Sequence, residues 1–225
     1  LYNENKTKSK VSMKKTIAIL LLWVLAVCTG AQAQLKKASP AQSKAMIARI
    51  DRAAASIKTA TCTFVQTKTM SFLNDKMVSR GHMYYTSAGQ LRWEYTSPYS
   101  YIFVVNNGRV TMKSGKRTTQ VNASSSSVFQ SIARIMMSSV TGKSLSNNRD
   151  FKVGMYLDGG NYVAQLTPKT GKMKKMFKLI SLHFNAARSM VSRVVMTERN
   201  GDNTIIDLKH VKTNSYINGS VFTVR

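Results

Sequence analysis

From residue 60 almost to its end, the chain is cut into short segments rich in Thr, Val, Tyr and Phe. They span 60–69, 76–86, 91–96, 100–105, 109–113 and 117–121, and then 151–157, 162–167, 176–184, 190–198, 204–213 and a short 221–224. Turn signals separate them: Asn107-Gly108, Ser114-Gly115, Asp158-Gly159-Gly160-Asn161, Thr170-Gly171 and Asn200-Gly201-Asp202-Asn203. Connections this short leave no room for the crossover that parallel strands require, so the pattern predicts an antiparallel sheet built of hairpins. In Leu91-Arg92-Trp93-Glu94-Tyr95 apolar residues alternate with charged ones, which gives that strand one apolar face. Tyr101, Phe103 and Val105 alternate with Ile102 and Val104, which predicts burial on both sides. A sheet of about eleven strands curls instead of staying flat.

Two stretches break this pattern. Ser39 and Pro40 are a suitable cap and first residue for a helix, and Ile47, Ile50, Ala54 and Ile57 recur at helical spacing, with Lys44, Arg49 and Arg52 off the stripe. Ser124–Ser127 offers caps for a second helix, striped by Val128, Phe129, Ile132, Ile135 and Met136 and ending near Val140. Residues 141–149 read as a polar loop. The expected fold is therefore mainly β, a curved antiparallel sheet forming an unclosed half β-barrel, with two amphipathic helices as a lid over its concave face.

The N-terminal residues carry an address. From Met13, Lys14 and Lys15 precede an apolar run from Ile17 to Cys28, and Ala31-Gln32-Ala33 supplies small residues at a cleavage position. A run this short falls below the roughly 20 residues a spanning helix needs. Residues 1–33 are thus expected to be an upstream extension plus a cleaved signal peptide, and 34–225 a single exported domain. After cleavage Cys62 is the one remaining cysteine, so no internal disulfide forms; it reads as a small buried apolar residue.

Phe64-x-Gln66, Gly81-His82-Met83-Tyr84-Tyr85, Leu91-Arg92-Trp93-Glu94-Tyr95, Pro98 and Asn107-Gly108 follow one another in an order and spacing that resemble the LolA-type periplasmic carriers of outer-membrane lipoproteins. The signal peptide, both helices and Leu166-Thr167-Pro168 also sit in the right order, so the resemblance covers about the whole exported chain. It implies a periplasmic protein, without cofactor, metal or catalysis, that accepts lipoprotein acyl chains in a hydrophobic cavity beneath helices. It further implies a monomer that takes acylated lipoproteins from an inner-membrane ABC-type release complex and passes them to an outer-membrane lipoprotein receptor of similar fold. On this resemblance Phe64, Leu91, Trp93, Tyr95, Tyr101 and Phe103 are the expected cavity residues, and Ile47, Ile50, Phe129, Ile132, Ile135 and Met136 the expected lid residues. The chain departs from the family at Ser87-Ala88, where an Arg-Pro pair is frequent and the Arg latches the lid. Ser87 then occupies the latch position with a shorter reach, and alternation points Arg92 away from the apolar face. The chain also ends at Val221-Phe222-Thr223-Val224-Arg225, without the tail found in many such carriers.

Composition frames the alternatives. A formal charge of +25 from 34 basic and 9 acidic residues fits a secreted binder of polyanions or of other lipids. No nucleic-acid-binding motif accompanies that charge, and the basic residues are spread along the chain, so nucleic acid is not the expected partner. Lys169, Lys172, Lys174, Lys175 and Lys178 fall on a predicted hairpin where they could meet an acidic partner or anionic headgroups. A lipid-anchored outer-membrane receptor of the same fold would require acylation of Cys28. His82, His183 and His210 lie inside strand patterns with no metal or nucleophile spacing nearby, and Glu94 is expected to pair with a neighbouring base instead of serving as an acid. The 13 Met supply flexible side chains suited to variable acyl chains.

Overall fold

The computed structural model describes residues 35–73, 75–122, 145, 150–187 and 189–224, and Leu35–Arg225 form a compact unit. The elements are β1 (Lys36–Lys37), α1 (Pro40–Ser56), β2 (Thr59–Met70), β3 (Asp75–Thr86), β4 (Gln90–Ser97), β5 (Tyr101–Asn106), β6 (Arg109–Ser114) and β7 (Arg117–Asn122). They continue with β8 (Phe151–Asp158), β9 (Asn161–Pro168), α2 (Gly171–Met176), β10 (Phe177–Asn185), β11 (Met190–Glu198) and β12 (Asn203–Thr213), then a 3-10 turn at Gly219–Phe222. All strands join one antiparallel, 12-stranded sheet in the order β1-β8-β9-β10-β11-β12-β2-β3-β4-β5-β6-β7. The two ends do not meet, so the sheet is the open half barrel that the hairpin pattern predicts.

The turn residues explain the hairpins. Asn107 and Gly108 both have positive φ, at 48° and 73°, which matches the twist of the flanking strands β5 and β6. Bulges sharpen the coil, notably between Arg80 and Gly81 on the β4 side of β3, and between Lys209 and Lys212 on the β2 side of β12.

Helix α1 begins with a capping box. Ser39 Oγ accepts from the Gln42 N–H at 3.3 Å, and the Ser39 N–H donates to Gln42 Oε1 at 2.9 Å. Met46, Ile50 and Ala54 are its buried residues, and the helix lies chiefly against β8 and β11.

Three local expectations differ from what is observed. The strand expected at 221–224 is the 3-10 turn, because Asn218 Oδ1 accepts from the Ser220 N–H and draws the backbone round. Thr170-Gly171 does not turn a hairpin; it starts the short helix α2, anchored by buried Met173. β1, which accounts for the twelfth strand, pairs Lys36 and Lys37 with Leu157 and Tyr156. The expected second lid helix, with Phe129, Ile132, Ile135 and Met136, and the expected signal segment with Cys28 lie outside the described residues. No described helix is long and apolar enough to cross a membrane.

Candidate functional site

Strand register sorts the inner-face residues into rows that run across the sheet. One row aligns Cys62, Met83, Trp93, Phe103 and Met112; its neighbours align Ala60, Tyr85, Leu91, Val105 and Val110, and Leu208, Phe64, Gly81, Tyr95 and Tyr101. All six residues singled out for the cavity therefore occupy three adjacent rows on one face. Phe64, Leu91, Trp93 and Phe103 are buried there, while Tyr95 and Tyr101 are partly exposed at the margin.

Gly81 makes this aromatic arrangement possible. It stands between Phe64 and Tyr95 in its row, and a Cβ on it would meet the Glu94 carbonyl and come 2.6 Å from Phe64 Cζ. The space that a side chain would take is occupied by the Phe64 ring, which reaches over β3. It stacks on Trp93 with centroids 4.3 Å apart and meets Tyr95 edge-on at 5.2 Å. Tyr95 continues the cluster to Tyr99 at 6.0 Å and Tyr101 at 6.1 Å. Such pairs each add about 0.5–1.5 kcal/mol beyond the area they bury.

Two polar groups enter this apolar patch. The Tyr95 hydroxyl donates to Gln66 Oε1 at 2.9 Å, and burial pushes the Tyr95 hydroxyl above the usual phenol range, against the opposing influence of Trp93 and Gln66. Among the described residues the buried Trp93 indole N–H makes no well-aligned hydrogen bond; its nearest acceptor is the Tyr95 hydroxyl, whose pKa it lowers as a weak donor.

Of the two described lid residues, Ile50 is fully buried and Ile47 partly so, both packed with the core beneath α1. The latch position behaves differently from expectation. Ser87 is exposed, and what it contributes is its backbone: the Ser87 N–H donates to the Lys58 carbonyl at 2.7 Å, tying the β3–β4 turn to the link between α1 and β2. The larger tie comes from Asn214, which sequence reasoning missed. Its Oδ1 accepts from the Lys58 N–H at 2.8 Å, its Nδ2 donates to the Ser56 carbonyl at 3.1 Å, and its own N–H donates to the Thr59 carbonyl at 2.9 Å. The C-terminal end of α1 is thereby clamped to the end of β12. Arg49 adds a contact to the Tyr162 hydroxyl at 3.4 Å.

The outer face accounts for the residues set aside as non-functional. Arg92 Nε pairs with Glu94 Oε2 at 2.8 Å, and an Arg92 terminal nitrogen donates to the Val221 carbonyl at 3.1 Å, so Glu94 has the basic neighbour that alternation predicts. His183 also lies on that face, where burial lowers its pKa. A cleft of about 510 Å³ opens beside them, between the C-terminal turn and Tyr84, Ile102 and Lys113; another, of about 890 Å³, lies between the start of α1 and β8–β9. Neither is bordered by the aromatic cluster. On the inner face the Cys62 thiol is pushed up to about 12 by burial, which leaves it unreactive at neutral pH. Among the described residues no group of three His, Cys, Asp or Glu could hold a metal ion.

Comparison with known proteins adds the family. The model of the outer membrane lipoprotein carrier protein LolA family matches residues 55–225. No curated protein matches the chain significantly. Among solved structures, a LolA-superfamily protein from Nitrosomonas europaea is 8% identical, with 80% of this chain and 97% of that one covered and a TM-score of 0.45. The Mycobacterium tuberculosis lipoprotein LppX is 12% identical over 80% of this chain and 99% of its own, with a TM-score of 0.46. An uncharacterized conserved protein from Thermus thermophilus is 10% identical over 81% and 94%, with a TM-score of 0.49. On the family match, which spans three quarters of the sequence and includes all six residues of the aromatic face singled out above, the chain belongs to the outer membrane lipoprotein carrier family LolA.

Proposed function

We propose that this protein is a periplasmic carrier, exported by a cleaved signal peptide, that holds the acyl chains of lipoproteins against the inner face of its half barrel and shuttles them from the inner to the outer membrane. The observation that carries the reading is the aromatic inner face built by Phe64, Trp93, Tyr95, Tyr101 and Phe103 within the family-matched segment. Each buried methylene contributes about 0.8 kcal/mol, so a lipoprotein with two or more chains leaves a membrane very slowly unaided. A carrier must therefore offer apolar surface of comparable affinity and cover it when empty. The inner face offers that surface, with Ile47 and Ile50 of α1, together with Phe129, Ile132, Ile135 and Met136, as the cover. The Trp93 N–H fits the reading too, since the ester carbonyl of an acyl chain would offer it a better-aligned acceptor than the Tyr95 hydroxyl. The partners in this reading are an inner-membrane ABC-type release complex and an outer-membrane receptor, and no catalytic step is involved.

The test is competition. The Leu35–Arg225 unit, loaded with a fluorescent apolar probe, is titrated with an acylated lipopeptide and its deacylated twin at low and high salt. Displacement by the acylated form alone, unchanged by salt, is the expected result. Equal displacement by both peptides, or by neither, would overturn it. The formal charge of +25 favours a second reading, a polyanion binder; its signature is binding that collapses as salt rises.

A further inference from the structure

The β2–β3 hairpin runs on beyond β4 and carries exposed apolar side chains at its end. On the β4 side, Asp75–Ser79 pair with β2 alone, since pairing with β4 begins at Arg80. On the other side, β12 leaves β2 at Thr69. The projecting part exposes Phe72 by 75%, Leu73 by 57%, Met77 by 43% and Val78 by 40%. Single exposed apolar residues are ordinary; Met77 and Val78, adjacent in β3, face opposite sides, whereas Phe72 and Leu73 together lead the turn. The β2 side of the turn is held firmly. Ser71 Oγ donates to the Asn200 carbonyl at 2.9 Å, and the Ser71 N–H donates to Asp202 Oδ1 at 3.1 Å.

Cations border this tip. The turn that grips Ser71 begins at exposed Arg199, whose Nε donates to the Lys174 carbonyl of α2 at 2.8 Å and whose N–H donates to the Met176 carbonyl at 3.1 Å. Lys174 and Lys175 are exposed on α2, and Lys76 is exposed on the hairpin itself. None of these four forms an ion pair among the described residues. The acids beside Arg199 and Lys76 in the chain are otherwise engaged: Glu198 and Asp202 are both bound by Lys68, at 3.3 and 3.4 Å, and Asp75 accepts from the Lys76 N–H at 2.7 Å.

We propose that the Phe72–Leu73 tip, with Lys76, Lys174, Lys175 and Arg199 around it, docks the protein on a membrane surface rich in anionic lipid. Shape and charge favour that occupant over a protein. A convex tip led by two bulky side chains presents little of the roughly 1,000 Å² a stable protein interface needs. A fluid interface deforms around it, and bulky apolar groups beside basic ones are what interfacial binding uses. The proposal extends the carrier reading, because a carrier that docks shortens the path of an acyl chain through water.

Flotation of the Leu35–Arg225 unit with phosphatidylcholine vesicles, with and without phosphatidylglycerol, tests it. Binding is expected only with the anionic lipid, weakened by salt and by Lys174→Glu with Lys175→Glu. Phe72→Ser with Leu73→Ser is expected to reduce it about tenfold or more. Failure to float with anionic vesicles, or flotation that survives the double tip substitution, would overturn the proposal and leave a protein partner or bulk charge as the explanation. Because the tip is exposed, its variants should unfold at the wild-type temperature; should the double variant not fold, Phe72→Ala alone, with a smaller loss, decides the matter. Lipopeptide displacement run on the same samples separates the two readings: its loss with flotation intact sinks the carrier and not the docking, and the reverse sinks the docking alone.

Discussion

The inner face of the sheet has two different halves. Across β8–β12, register aligns Met155, Ala164, Leu182, Val194 and Ile206 in one row, mainly aliphatic and small enough for α1 to lie close. Beyond it, the row reaches Gln66, and the β2–β5 half that follows is built of stacked rings with hydroxyl, amide and indole groups among them. The first half closes on α1, with buried Thr204 in the neighbouring inner-face row beside Ile180 and Met196. Each half has one buried polar atom without a well-aligned hydrogen bond among the described residues, Asn203 Oδ1 on β12 and Trp93 Nε1 on β4. The contrast is therefore one of side-chain chemistry, aliphatic packing against stacked rings.

The two halves meet where β12 pairs with β2, and one strand further on, in β3, Gly81→Ala should break into the aromatic half. The new Cβ would strike the Glu94 carbonyl, which belongs to a paired strand and cannot yield as a side chain could. A loss of about 3 kcal/mol is expected in urea unfolding, at the upper end of typical overpacking costs. A stability within 1 kcal/mol of wild type would mean, on the same scale, that Phe64 does not fill that space.

Ile50→Ala probes the aliphatic half alone. Ile50 is fully buried beneath α1, so about 3 kcal/mol of stability should go. If the helix were held only by this packing, its end would also fray. Hydrogen exchange at Ser56–Thr59 should instead stay protected, because Asn214 grips that link by itself. Asn214→Ala gives the complement: two side-chain hydrogen bonds lost and Ala placed at a φ of 59°, for about 2 kcal/mol and faster exchange at the link.

These residues also show what the sequence could disclose. Alternation in 91–96 and Asn107-Gly108 located β4 and the β5–β6 hairpin, since both signals are local. Ser39-Pro40 likewise marked the start of α1. Helix α2 carries no such mark: Thr170 makes no side-chain cap, and its first turn has no acid, so Met173 burial and the Arg199 contacts hold it from a distance. Asn214 has partners more than 150 positions away, and β1 is two lysines with no pattern at all. That the six candidate residues share one face was legible because one face of a strand can be counted off. That Phe64 crosses β3 above Gly81 was not legible, because it depends on strand register.

A further effect, confined to acid, concerns the tip. The Ser71 N–H, against the cost of desolvation and with help from Asn200 and Lys68, holds the Asp202 carboxyl below the usual carboxylate range. Its depressed folded pKa means that its stabilisation is complete above the ordinary carboxylate pKa and is lost as pH falls through the folded value. Asp202→Asn should therefore be less stable than wild type at neutral pH, and the two should converge in strong acid. A constant difference across pH would assign the effect to packing.

The smallest change in stability is expected where the change in function is the most telling. Trp93→Phe removes the poorly aligned N–H and keeps most of the ring that stacks on Phe64. Lost area and relieved desolvation oppose one another, so unfolding should shift by no more than about 1 kcal/mol in either direction. A pure core residue would stop there. If the aromatic half receives acyl chains, the variant should bind an ester-linked lipopeptide several-fold more weakly while its affinity for the ether-linked analogue holds. Equal losses for both linkages would mean that the N–H serves no carbonyl, and equal affinity in wild type and variant would return Trp93 to the same class as Ile50.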